Sequence, residues 1–274
     1  MKILFCCLLI LLSVVTVQPA SSQTKTAAKA KTAYFCDPCG NDCDKIAFDK
    51  PGKCPHCGMT LTLQDVATHE KNMNLKRLKV LFYLQDGVEV LDFAGPMEVF
   101  SYAGFDVAVV SKTKDPIVAQ GVLKIIPQYS INDAPAADIL AFFGGSAWNA
   151  VKEPSVIKWV QDAPKPQYYF SVCTGAFILG KAGMLDGLTV TTFHESIEGL
   201  QHDVPKAKVL SNVRFVDNGK VITTAGISAG IDGALHLVEK IRGRDVAVQI
   251  AKYMEYDKWV PAQGLVMKPV AATP

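Results

Sequence analysis

The chain has 274 residues, 49% hydrophobic and 20% charged, with a formal net charge of +2. That length accommodates one full-sized domain and a small module. A charge balance so close to neutral excludes the strong positive field of a nucleic-acid binder and gives no hold on an anionic membrane surface.

The first residues, MKILFCCLLILLSVVTVQPASSQ, place Lys2 before an apolar run from Ile3 to Val17, and small residues follow. Ala20, Ser21 and Ser22 fit the small-residue rule for cleavage before Gln23. The apolar run is shorter than a comfortable membrane span. Residues 1–22 are therefore expected to be a cleaved signal peptide, leaving no stable membrane anchor and a periplasmic or secreted protein. The cysteines that remain are Cys36, Cys39, Cys43, Cys54, Cys57 and Cys173, in a compartment where disulfides are allowed. Residues 23–33, rich in Lys, Ala and Thr, read as a flexible tether.

Residues 34–63 form a cysteine module. Cys36-x2-Cys39 and Cys54-x2-Cys57 are separated by 14 residues, and paired turns of this kind can set four thiolates at the corners of a tetrahedron around zinc. Gly40 and Gly58 follow the knuckle cysteines, where a tight turn aims backbone N–H groups at sulfur. So short a segment cannot bury a useful core, so a structural metal would supply its folding energy. Two alternatives stay open: a soft copper site using Cys43, His56 or Met59, and two disulfides with Cys43 left over. YFC…DKPGKCPHCGMTL resembles the heavy-metal-binding domain at the front of bacterial metal-efflux components. That family opens with Cys-Pro-Met-His where this chain has CDPCGNDC, a departure that favours a cysteine-only zinc site and leaves Cys43 without a role.

QDVATHEKNMNLK (64–76) is polar and unpatterned, and reads as a linker that includes His69. From residue 77 apolar runs alternate with amphipathic stretches. LKVLFYL (78–84), FDVAVVS (105–111), DILAFFGG (138–145) and QYYFSV (167–172) predict buried strands. AGPMEVFSYAG (94–104), PSVIKWVQDA (154–163), a face bearing Ile231, Ala234, Leu235, Val238 and Ile241, and RDVAVQIAKYMEY (244–256) predict helices. The alternation predicts an α/β domain over 77–257, a flavodoxin-like, mostly parallel sheet with helices on both faces. Residues 258–274 are left as a C-terminal tail.

Cys173 follows a strand and precedes TGAFILGKAG, which can start a helix. A sharp strand-to-helix turn exposes the side chain at its apex, and helix-start N–H groups lower a thiol's pKa. The bland alternative is a buried structural cysteine. Asp92, before AGPMEVF, reads alone as a helix-start carboxylate.

YYFSVCTGAFILGKAGMLDGLTVTTFH resembles the elbow region of the PfpI and Parkinson-protein deglycase superfamily, whose fold is that of class I glutamine amidotransferases. LQDGVEVLDFAGPMEVF (84–100), ILAFFGGSA (139–147) and VITTAGISAGIDGALHLVEKIRG (221–243) match its other motifs in order. GISAGIDGAL and MEYDKW resemble most the branch holding isonitrile hydratase and the sensor domains of certain transcription regulators, although the 18 residues after Tyr256 leave no room for a DNA reader.

The resemblance implies that Cys173 is the nucleophile, Asp92 its acidic contact, and Thr174 the residue that orients water or intermediate. It implies that Gly144 and Gly145 turn backbone N–H groups to the reacting centre; Gly175, on its size alone, lets backbone close in behind the cysteine. It also places His194 near the family histidine, with Phe193 intervening. A homodimer acting on a small molecule is expected, with no cofactor required by the α/β domain. Two functions stand: a cysteine-dependent hydratase or hydrolase, sharpest as isonitrile hydration to an N-substituted formamide, and a non-catalytic exported metal-binding or oxidant-sensing protein.

Overall fold

The structure, a computed structural model, describes residues 31–36, 42–73, 77–257 and 259–268. The expected signal peptide, most of the tether and Cys39 lie outside the described residues. Among the described residues no helix is long and apolar enough to cross a membrane.

In the small module, β1 (Thr32–Cys36) pairs antiparallel with β2 (Leu61–Asp65), setting Cys36 opposite Leu61. Helix α1 (Val66–Met73) follows at once, and the Asp65 carboxylate accepts the Thr68 N–H at 2.9 Å to start it. The linker expected over 64–76 is thereby corrected for residues 64–73. Its polarity is spent inside the module. The His69 ring is buried, stacks on Phe35 at 3.6 Å, and hydrogen-bonds the Asp44 carbonyl at 2.7 Å and Gln64 at 3.0 Å.

The larger domain alternates strand and helix. It runs β3 (Lys79–Tyr83), α2 (Val90–Tyr102), β4 (Asp106–Ser111), a hairpin of β5 (Ile117–Ala119) and β6 (Leu123–Ile125), and β7 (Tyr129–Ser130). Then come β8 (Ile139–Phe142), α3 (Trp148–Val151), α4 (Pro154–Asp162), β9 (Tyr168–Val172) and α5 (Ala176–Lys181). After β10 (Thr189–Val190), α6 (Ile197–Asp203) and β11 (Lys208–Val209), the chain closes with β12 (Phe215–Asp217), β13 (Val221–Thr224), α7 (Ala229–Arg242), α8 (Arg244–Tyr253) and β14 (Leu265–Val266). The main sheet has the order β14-β12-β13-β9-β8-β3-β4-β7. Every neighbouring pair is parallel except β12 with β13.

Successive side chains of a strand point to opposite faces, and both faces here are apolar and covered. On β3, Val80 and Phe82 join Phe100, Phe170 and Leu235 on one side, under α2 and α7. Leu81 and Tyr83 join Phe142, Ile157 and Ile178 on the other, under α4 and α5.

The tail assigned to 258–274 is also corrected, because β14 is an edge strand of the main sheet, with Leu265 in register with Val216. Gly264 lets it approach: a side-chain carbon there would fall 2.0 Å from the Phe215 ring. At the same edge the buried Asp217 carboxylate accepts from His236 at 2.8 Å and from Lys240 at 2.9 Å, tying β12 to α7.

Candidate active site and metal centre

The carboxyl ends of β3, β8, β9 and β13 meet at Cys173. Strand β9 stops at Val172, and Cys173 itself takes a left-handed backbone with φ 58°. A non-glycine residue there costs about 1–3 kcal/mol and persists only where its surroundings over-determine it. Two contacts do so: the Cys173 N–H donates to the Ala225 carbonyl at 3.2 Å, and the Thr192 hydroxyl donates to the Cys173 carbonyl at 2.7 Å. Gly175 lies so close to the end of β8 that a Cβ would fall 2.4 Å from the Phe142 carbonyl oxygen.

Asp92 sits in the first turn of α2, which begins four residues before the expected Ala94. Its side chain is fully buried, at 0% exposure. Oδ2 accepts the Gly144 N–H at 2.8 Å and Oδ1 accepts the Ile227 N–H at 3.0 Å. The carboxyl also faces the Cys173 thiol. Gly144 lies between the two reactive groups; a Cβ on it would stand 2.7 Å from Asp92 Oδ2 and 2.8 Å from Cys173 Sγ. Gly145, at φ 80°, passes so near the loop after β3 that a Cβ would meet the Gly87 oxygen at 2.4 Å. Gln85 fixes this glycine pair from behind, its Nε2 donating to the carbonyls of Phe143 at 3.1 Å and Gly144 at 3.0 Å.

Burial raises the Asp92 carboxyl from 3.8 to about 7, with the charge of Glu89 adding to it and the Gly144 and Ile227 N–H groups opposing. Burial likewise pushes the Cys173 thiol up to about 12, with the Asp92 charge adding and the Thr174 and Ile227 N–H groups opposing. The lowered thiol pKa expected of a helix start is thus overturned. At 6% exposure, desolvation and a carboxylate neighbour outweigh a few backbone donors. The two groups form one coupled acid, and the arrangement can pass a proton between sulfur and carboxyl without a charged partner.

The other expected residues are placed unevenly. The Thr174 hydroxyl faces the Gly145 carbonyl at 3.4 Å, on the rim above the sulfur. His194 is exposed, and among the described residues no hydrogen bond joins it to Cys173 or Asp92. Phe193 accounts for this: its ring packs where a Gly226 Cβ would stand, 2.4 Å away, and leaves the histidine outside, 4.4 Å from it between centroids. Ile227 was not legible as a site residue. A β-branched residue at φ 54° is a genuine backbone outlier, and its contribution is a main-chain N–H that carries no side-chain signature.

In the module, Cys36, Cys43, Cys54 and Cys57 bring their sulfurs within 4.8 Å of one another, Cys36 and Cys57 at 3.5 Å. None of the described cysteines is in a disulfide. Four thiolates around a metal at about 2.3 Å give tetrahedral edges of about 3.8 Å, so this donor set fits a metal ion. Cys43, without a role on spacing alone, enters from the short turn Asp42–Lys45 as the fourth sulfur. Gly58, at φ 75°, donates its N–H to the Cys54 carbonyl at 2.8 Å and closes the knuckle. His56 is exposed and stands outside the group.

Residues 34–62 match the heavy metal binding domain, and residues 78–240 match the DJ-1/PfpI family. Isonitrile hydratase of Pseudomonas putida is 31% identical over 185 residues, covering 65% of this chain and 78% of that enzyme. The HTH-type transcriptional regulator CdhR of Pseudomonas aeruginosa is 25% identical over 189 residues, covering 66% of this chain but only 56% of the regulator. The crystal structure of a ThiJ/PfpI family protein from Pseudomonas syringae aligns at a TM-score of 0.63 and 27% identity, covering 68% of this chain and 78% of that one. With the match spanning more than half of its length, and with a heavy metal binding domain at its front, the chain belongs to the DJ-1/PfpI family.

Proposed function

We propose that the α/β domain is a cysteine-dependent hydratase of a small neutral molecule, with isonitrile hydration as its sharpest form. The observation that carries this reading is the buried Cys173–Asp92 pair: a thiol set beside a carboxyl whose pKa stands at about 7. Such a pair holds a proton ready for delivery at neutral pH. Cys173 sulfur bonds to the terminal isonitrile carbon, and that carbon takes the proton held by Asp92. Asp92 regains the proton that the thiol gave up, so that S–H has added across one carbon. Water, oriented by Thr174, then attacks the same carbon. The carbon–sulfur bond breaks, the thiol is restored, and an N-substituted formamide leaves. Negative charge in the hydration step faces the N–H groups of Gly145 and Thr174. The 31% identity to an isonitrile hydratase over most of that enzyme's length supports the substrate class.

The same burial weakens the oxidant-sensor reading, because sensor thiols are exposed and of low pKa. In the module, a four-sulfur set favours zinc held as a structural ion, which would supply the folding energy of a segment with little core of its own. Export through residues 1–22 and assembly as a homodimer belong to the same proposal. The test is incubation of purified mature protein with an aliphatic isonitrile and detection of the formamide by mass spectrometry. Product formed by the wild type and abolished in Cys173→Ala supports the reading; equal turnover in both overturns it. Intact mass of protein recovered from the periplasm tests removal of residues 1–22.

A further inference from the structure

The backbone of Ile227 is strained, and its side chain, 37% exposed, is too solvent-facing for packing to hold it there. Yet its N–H serves both members of the reactive pair, donating to Asp92 Oδ1 at 3.0 Å and facing the Cys173 sulfur. Something outside the pair must hold that turn.

Arg214, just before β12, brackets it. Its carbonyl accepts the Ala225 N–H at 2.9 Å on one side of Gly226–Ile227. Its guanidinium donates to the Ser228 hydroxyl at 3.2 Å on the other side. The guanidinium is anchored in turn by Asp232, which is 1% exposed. Asp232 Oδ2 accepts from Arg214 Nε at 2.6 Å and also contacts Nη2. The remaining oxygen, Oδ1, accepts the Tyr256 hydroxyl at 3.2 Å, which ties the network to the segment after α8. Neither Asp232 nor Tyr256 has any part in the chemistry proposed above.

We propose that Arg214, Ser228, Asp232 and Tyr256 form a positioning network that aims the Ile227 N–H at the Cys173–Asp92 pair and thereby sets the pH at which the pair reacts. The inference rests on Cys173 being the nucleophile, but it concerns the thiol's own ionisation and not any substrate. The charged and polar groups facing the pair are the Glu89 carboxylate beside α2, the Gly144 N–H after β8, the Thr174 N–H of the elbow and the Ile227 N–H before α7. Of these, Ile227 alone is held by the network. Its N–H favours the ionised form of each partner, so letting it drift raises both acidities' midpoints.

The experiment measures iodoacetamide alkylation of Cys173, resolved by peptide mass spectrometry, from pH 5.5 to 9.5 in the full metal-loaded protein. The variants are Ser228→Ala, Arg214→Lys and Tyr256→Phe. Asp217→Asn, a buried acid of an unrelated network on β12, serves as a control of comparable structural cost. A midpoint raised by about half a pH unit, an alkylation rate at pH 7 lowered by about twofold, and an unmoved midpoint in Asp217→Asn are expected. Variants that lose thermal stability as the control does while keeping the wild-type midpoint would overturn the proposal, since a merely structural network moves Tm alone. Should one variant fail to fold, the other two carry the measurement. The result is separable from the enzymatic reading, because alkylation reports the sulfur whether or not any isonitrile is turned over.

Discussion

Replacing Asp92 by asparagine probes the raised carboxyl pKa directly through stability. Asp92 stands at about 7 in the folded protein against 3.8 ordinarily. Between those values the folded state holds a proton that the unfolded chain has released, so stability must fall as pH rises across that window. At about 1.36 kcal/mol per pH unit, the loss reaches roughly 4 kcal/mol by pH 8. Asparagine does not titrate, and the variant lacks this slope. It has a fixed cost instead: its NH2 must face one of the two backbone donors, Gly144 or Ile227, and an unmade buried hydrogen bond costs about 1–3 kcal/mol. Urea unfolding followed by tryptophan fluorescence should find the variant less stable than wild type near pH 4. The two should cross between about pH 4.5 and 6, and the variant should be the more stable near pH 8, with isonitrile turnover lost throughout. Two stability curves running parallel from pH 4 to 8 would refute the reasoning, since the carboxyl would then be an ordinary acid with no proton to give.

Alkylation of wild-type Cys173 should rise through pH 7, where the pair first loses a proton, and climb again as pH approaches the thiol's own value of about 12; a single rise near pH 9 in a pH–rate profile would contradict the coupling. Gly144→Ala should abolish alkylation and turnover and lower stability by about 1–3 kcal/mol, because its Cβ would stand 2.8 Å from Cys173 Sγ; retained reactivity by the same assay would count against the geometry. Cys43→Ser should lower bound metal, measured by inductively coupled plasma mass spectrometry, and expose the module to protease much as chelation does. Full metal content in that variant would remove Cys43 from the ligand set.

The sheet was legible where strands are apolar on both faces. LKVLFYL, DILAFFGG and QYYFSV each contain the strand observed, because a buried parallel strand needs no alternation of polarity. Short elements escaped. Strand β14 has two exposed residues and is positioned by the fit of Gly264 on the Phe215 ring, a contact between residues about fifty positions apart. Helix α1 was hidden by its polarity, since His69 is buried through hydrogen bonds and ring stacking and not through an apolar stripe. At the active site, Cys173, Asp92 and the glycine pair were visible as residue types in motifs that the structure brings together. Ile227 was not, because a main-chain N–H aimed by an unusual φ leaves no trace in side-chain identity. The direction of the thiol's acidity was misjudged for a related reason: local turn geometry can be read from sequence, but the depth to which the turn is buried cannot.

Both oxygens of Asp92 are pinned by main-chain donors, and no part of the side chain reaches solvent. The carboxyl is therefore locked against rotation. Any hydrogen it carries cannot lie along either N–H line and must occupy a remaining lone pair, which leaves it a bearing toward sulfur and none toward bulk water. A buried acid of this kind exchanges with its surroundings only through the atom it serves.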